Sequence, residues 1–253
     1  MRYAALLALV ALMAVPAAAQ PTPDPMADPL PDPMAAASFR GVVEQRVALD
    51  YLVALPDGYA DGAEAWPLVL FLHGSGERGA DLTKVKVHGP PRRLAEGERF
   101  PFLLVAPQAP EGGWWDAKAL GALLDEVERT YRVDPDRVYV TGLSMGGYGT
   151  WALAEAFPGR FAAIAPVCGG GTPSRICPAV EAGTKVWAFH GVLDDVVPVQ
   201  RSLEMAERAR RCGGDVRLTL YPEAGHDSWT EAYADPALYS WLLAQRRSRG
   251  GED

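Results

Sequence analysis

The sequence predicts an α/β protein with a mostly parallel central sheet and helices on both faces, and three observations predict it. Strand-like and helix-like segments alternate along the chain, the order that builds parallel strands joined by helical crossovers. Runs such as Pro67-Leu68-Val69-Leu70-Phe71-Leu72 and Phe102-Leu103-Leu104-Val105-Ala106-Pro107 are continuously apolar, as strands covered on both faces are. Third, Thr141-Gly142-Leu143-Ser144-Met145-Gly146-Gly147 stands between an apolar run, Val138-Tyr139-Val140, and a helix-like segment at residues 148–157. That places Ser144 on a strand-to-helix turn, the setting of a nucleophile elbow.

Composition narrows the classes. A chain of 253 residues with 49% hydrophobic content suffices for one sizeable core. The net charge of -8, with no clustered Lys/Arg, argues against nucleic acid as a partner. Arg2, an apolar run at residues 4–15 too short to span a bilayer, and Ala17-Ala18-Ala19 read as a secretory signal peptide over residues 1–19, so a secreted or periplasmic location is expected. Residues 20–38, rich in Pro, Asp and Ala, read as a disordered linker. A folded domain over 39–247 and a flexible tail at 248–253 complete the expected organisation.

In the folded part, β-branched and aromatic residues at 42–55 predict one or two opening strands, ended by Pro56-Asp57-Gly58-Tyr59. The strand at 67–72 leads into His73-Gly74-Ser75-Gly76-Glu77-Arg78-Gly79. Pro90-Pro91 interrupts the next stretch, and a short helix at 92–96 is expected after it. The strand at 102–107 follows; then Leu120, Leu123, Leu124, Val127 and Tyr131 fall at helical spacing with acidic residues between them. After the elbow and its helix, strands are predicted at 162–167, 185–189 and 216–221, a charged helix at 199–211 and a closing helix at 236–246.

The chemistry collects just after the strands, where ligands bind in open α/β sheets. Ser144 needs a base to remove its proton. His226, in Gly225-His226-Asp227-Ser228-Trp229, follows one strand; Asp194, in His190-Gly191-Val192-Leu193-Asp194-Asp195, follows another. In this order, His226 would shuttle the proton while Asp194 holds its tautomer. Two backbone donors for an oxyanion are expected from the Met145 amide, at a helix start, and the Ser75 amide, with Gly76 second.

These four motifs, in order, are similar to the α/β-hydrolase superfamily, and within it to secreted carboxylesterases of the phospholipase/carboxylesterase and polyhydroxybutyrate-depolymerase or feruloyl-esterase-like branch, also labelled prolyl-oligopeptidase-like. The resemblance spans about residues 51–243. It implies a sheet of about eight strands, ester hydrolysis through an acyl-enzyme, and no cofactor. It also places the acid four positions after the histidine of the His-Gly pair, selecting Asp194 over Asp195. The opening hairpin is shorter than the family pattern, and residues 168–184 leave little room for a cap.

Each assignment has a plainer reading. Ser144 can be a packing turn; His73 and His190, each before a glycine at a strand end, are expected to brace loops by hydrogen bonds; His88 has no expected role; and Asp227 is expected to bond nearby backbone. Trp114, Trp115 and Trp229 wall a substrate pocket or belong to the core. Glu77 and Arg78 are expected to pair and stiffen the oxyanion loop. Of the three cysteines, Cys168 and Cys177 are the expected disulfide across a Gly-rich loop, leaving Cys212 free, and no zinc pattern or metal is expected. The function expected is hydrolysis of small-molecule or carbohydrate-linked acyl esters. A peptidase or polyester depolymerase is the alternative, and a non-catalytic binding protein on the same fold is the alternative of another class.

Overall fold

The computed structural model describes residues 46–247. The expected signal peptide, linker, first residues of the folded domain and tail lie outside the described residues. Seven strands form one sheet: β1 (Tyr51–Ala54), β2 (Trp66–Leu72), β3 (Leu103–Pro107), β4 (Val133–Leu143), β5 (Ala163–Val167), β6 (Lys185–Gly191) and β7 (Val216–Tyr221). Their order is β1-β3-β2-β4-β5-β6-β7, with β1 antiparallel to β3 and every other pairing parallel. The resemblance implied about eight strands; seven are found among the described residues, with β1 in the stretch 42–55 where one or two opening strands were expected.

β2 and β3 are buried almost end to end, as their unbroken apolar runs require. Their alternate residues enter two cores. One, with Leu68, Leu70, Leu103 and Val105, is covered by α2 (Ala117–Thr130) and α3 (Met145–Ala156). The other, with Val69, Phe71, Phe102 and Leu104, is covered by α7 (Pro236–Ala244) and the α6 segment (Trp229–Ala234). α2 begins where Asp116 accepts from the Lys118 and Ala119 amides, and it buries Leu120, Leu123, Leu124 and Val127, the face its spacing predicts.

Two local readings are corrected and a third, the short β5–β6 connection, holds. Pro90 and Pro91 do not precede a helix but start one: α1 covers Gly89–Ala95, with proline where its missing N–H has no intrahelical partner. Between β5 and β6 lies only a short turn and α4 (Cys177–Glu181), so no cap covers the sheet edge among the described residues. The disulfide joins Cys177 to Cys212 rather than to Cys168. Cys177 opens α4 and Cys212 ends α5 (Gln200–Arg211), 5.4 Å apart at Cα, whereas Cys168 is fully buried at the end of β5. No helix of the described residues is long and apolar enough to cross a membrane.

Candidate active site

Parallel pairing carries the ends of β2, β4, β6 and β7 to one edge, and the candidate side chains follow those ends. Leu72 lies opposite Gly142, and Gly191 opposite Tyr221, so the loops bearing Ser75, Ser144, Asp194 and His226 emerge side by side.

Ser144 links β4 to α3 with φ 52° and ψ -115°, a left-handed conformation a side chain avoids unless its surroundings impose it. The imposition is steric. A Cβ on Gly146 would lie 1.9 Å from the Leu72 carbonyl oxygen, and one on Gly142 2.5 Å from that of Gly146. Only glycine lets the elbow sit this close to β2. The Ser144 Oγ thereby stands 2.9 Å from His226 Nε2, and His226 Nδ1 2.8 Å from Asp194 Oδ2.

Asp194 is held on all sides. Its Oδ1 accepts from the Val196 and Val197 amides at 2.9 and 2.8 Å. Burial raises its pKa, but the His226 hydrogen bond, the two amides and the charge of His226 outweigh burial and hold the carboxyl below its ordinary value. Its loop is sewn to the histidine loop, Leu193 N donating to Ala224 O at 3.0 Å. Gly191 permits that approach: a Cβ there would lie 2.1 Å from the Gly225 oxygen. The sequence signal was the His-Gly pair itself, read for its histidine and not for its glycine.

The two expected backbone donors lie on neighbouring turns, after β2 and at the start of α3. The Met145 amide is the first of α3, where a helix leaves N–H groups without intrahelical acceptors and carries partial positive charge. Ser75 begins a tight turn over Ser75–Glu77 directly after β2, and Gly74 lies against Leu143. Arg78 stiffens this turn, though not by pairing with Glu77: its guanidinium donates to the Ser75 and Gly113 carbonyls at 2.8 and 3.1 Å. Glu77 instead faces His73 and His88, 3.9 Å from each.

The other histidines divide as expected. His73 is buried; its Nε2 accepts from the Ala109 amide and its Nδ1 donates to Gly74 O, so it braces the loop as a neutral ring. Burial, the largest cause, lowers its pKa to about 4. His190 is also buried, against Ser202, Val197 and Asp194. Asp227 accepts from the Thr230 amide, a local backbone bond.

The three tryptophans part company. Trp115 is in the core, its indole N–H donating to His73 O at 3.1 Å, and so does not wall the site. Trp114 is 61% exposed and meets Tyr148, one turn along α3 from Ser144, at 6.1 Å between ring centres. Trp229 stands edge-on to His226 at 5.2 Å and borders a hollow of about 150 Å³ with His88, Arg92 and Tyr233. Among the described residues two side-chain groups have the spacing to hold a metal ion. One contains the disulfide sulfurs; in the other, Asp194 and His226 already bond each other and burial pushes the Cys168 thiol up to about 12. Neither offers a free ligand set.

Such a sheet, with serine on an elbow and aspartate and histidine on later loops, is the α/β-hydrolase fold. The chain belongs to the dienelactone hydrolase family, whose sequence description matches residues 36–237. It is 27% identical over 167 residues to a probable feruloyl esterase C of Aspergillus terreus, covering 63% of this chain and 60% of that one. It is 31% identical over 121 residues to poly(3-hydroxyalkanoate) depolymerase C of Paucimonas lemoignei, covering 41% of this chain and 28% of that one. The crystal structure of a thermostable esterase superimposes with a TM-score of 0.67 at 32% identity, covering 79% of this chain and 60% of that one.

Proposed function

We propose that this protein is an exported serine carboxylesterase in which Ser144 attacks an acyl ester, His226 carries the proton and Asp194 orients His226. The observation that carries the reading is the unbroken geometry Ser144 Oγ to His226 Nε2 to Asp194 Oδ2, at 2.9 and 2.8 Å, on a serine held at positive φ. His226 takes the hydroxyl proton as the Ser144 Oγ–acyl carbon bond forms, then returns it to the leaving alcohol; water repeats the cycle in reverse to release the acid. The Met145 and Ser75 amides receive the oxyanion, each donor being worth about 10²–10³ in rate. No cofactor takes part in these steps.

The uncapped edge supports bulky or carbohydrate-linked alcohols as leaving groups, with exposed Trp114 and edge-on Trp229 as the contact surfaces. The relatives' printed names include esterases of this kind and a polyester depolymerase. Export is supported by the disulfide, a bond that persists in oxidising compartments.

The test is hydrolysis of p-nitrophenyl esters from acetate to octanoate, methyl ferulate, a polyhydroxyalkanoate suspension and a chromogenic peptide amide, by wild type and Ser144→Ala. Ester turnover and fluorophosphonate labelling, both lost in the variant by about 10³-fold or more in rate, are expected. Preferential cleavage of the amide or the polymer would replace the ester reading; a well-folded wild type inert to every substrate and probe would replace the enzyme reading with a binding role.

A further inference from the structure

We propose that His190 is a positioning residue for this reaction: its Nε2–H, bonded to Val197 O, also faces Asp194 Oδ2 at 3.2 Å and holds the carboxylate against His226. The inference rests on the triad assigned above and adds a member that touches neither substrate nor nucleophile.

The Oδ2 atom of Asp194 is shared. It lies 2.8 Å from His226 Nδ1 and 3.2 Å from His190 Nε2. The His190 Nε2 also faces Val197 O at 2.8 Å, and its Nδ1 faces Ser202 Oγ at 2.7 Å. The Ser202 hydroxyl in turn lies 2.9 Å from Gly169 O. Both side chains are fully buried, so no solvent resolves the pattern for them.

Counting hydrogens does resolve it. A hydroxyl has one to give. If Ser202 gives it to Gly169 O, Nδ1 of His190 must carry a hydrogen; if Ser202 gives it to Nδ1, that nitrogen is bare. In either case Nε2 faces only a carbonyl and a carboxylate oxygen. A bare nitrogen there would set three buried acceptors against one another with no donor, an arrangement folded proteins avoid. His190 therefore carries a hydrogen on Nε2 in both of its allowed states. Burial lowers the pKa of His190, against the opposing pull of Val197 and Asp194, and Nε2 keeps its hydrogen whichever way Ser202 turns.

The contact also closes a ring. From Gly169 the chain steps back to Cys168, whose backbone is at φ 40° and whose sulfur accepts from the Ser144 amide at 3.3 Å. Gly169 itself lies so near α3 that a Cβ on it would be 2.5 Å from the Gly147 carbonyl carbon. Ser144, His226, Asp194, His190, Ser202 and the 168–169 backbone thus form a circuit that sets the loops after β4, β5, β6 and β7 relative to one another. The titratable groups facing His190 are Asp194 and His226. Beyond them, Cys168 remains a thiol, Asp227 acts on that thiol, and Arg201 and Glu204 of α5 pair with each other at the surface.

A donor on Oδ2 fixes the plane of the carboxylate and draws some of its charge away from His226. Its loss should misplace the imidazole, and leave more negative charge to stabilise the imidazolium. The variants His190→Ala, His190→Gln and Ser202→Ala test this, the glutamine amide standing near the Nε2 position and the serine variant leaving His190 present but unanchored. With His190→Ala we expect kcat to fall by about 10–10²-fold at nearly constant KM. The acidic limb of kcat/KM should move to higher pH, and the deshielded proton resonance of the His226–Asp194 hydrogen bond should broaden or vanish. His190→Gln should restore both limb and resonance, and Ser202→Ala should move both in the same direction as His190→Ala, by less.

A wild-type limb and resonance in folded His190→Ala and Ser202→Ala, with activity tracking only the folded fraction, would overturn the proposal. If His190→Ala does not fold, the contrast between His190→Gln and Ser202→Ala decides by the same readouts. Failure of the esterase reading looks different: the wild type would be inert and unlabelled while its His226–Asp194 resonance persisted.

Discussion

Ser144 is strained because Gly142 and Gly146 bring the elbow close against β2, and that makes these two glycines as necessary as the hydroxyl. A methyl group on Gly146 meets backbone oxygen at 1.9 Å, which no rotamer change relieves. Gly146→Ala should therefore destabilise the fold by about 3 kcal/mol, at the upper end for overpacking a core. Gly62→Ala, where a Cβ meets nothing within 4 Å, should change stability by less than about 0.5 kcal/mol. Urea denaturation of the two variants checks the contrast. Ser144, Asp194 and His226 were legible as residues because each sits in a short motif with its own glycine. The placement of Asp194 Oδ2 between two imidazoles, 2.8 Å from His226 and 3.2 Å from His190, was not legible, since nothing in the spacing of His190 and Asp194 says where the imidazole turns.

Among the elements, periodicity served best where burial is simplest. The continuous runs of β2 and β3 and the amphipathic face of α2 follow from which sides are covered. Pro90-Pro91 misled because proline both ends helices and starts them, and the deciding fact is where the first turn begins. Cysteine pairing misled for a related reason. Nearness in sequence favoured Cys168 with Cys177, but β5 carries Cys168 under the elbow while α4 and α5 bring Cys177 beside Cys212 across 35 residues. Closing a loop of that length should contribute about 3–4 kcal/mol through the unfolded state. Cys177→Ser and Cys212→Ser should each lower stability by about that amount, and thiol titration after denaturation should find one reactive thiol in the wild type and two in either variant.

For the whole molecule, acid is the expected weakness. His73 is folded into the sheet edge as a neutral ring with its pKa lowered from 6.5 to about 4. Between those values the unfolded chain binds a proton that the native state refuses. The stability is thus fully present above pH 6.5 and declines as pH falls toward 4, by roughly 3 kcal/mol for this one group. Asp194, its pKa depressed, adds a loss of the same sign below its ordinary value of 3.8, whereas Glu155, raised by burial, opposes the trend. Denaturation midpoints measured from pH 7 to pH 4 should fall, and more shallowly in His73→Asn, which keeps a donor at the Nδ1 position but does not titrate.

Alternation of strands and helices, the elbow motif and the chain order of serine, aspartate and histidine were determined by the sequence alone. Each follows from local rules: which residues are apolar on which period, and where a turn can tolerate only glycine. The tertiary structure decided the disulfide partner, the seven-stranded count among the described residues, the withdrawal of Trp115 into the core, and the approach of His190 to Asp194 at 3.2 Å. Those depend on which strand ends lie side by side and which buried atoms are left to share a hydrogen, relations between residues far apart in the chain that no local pattern encodes.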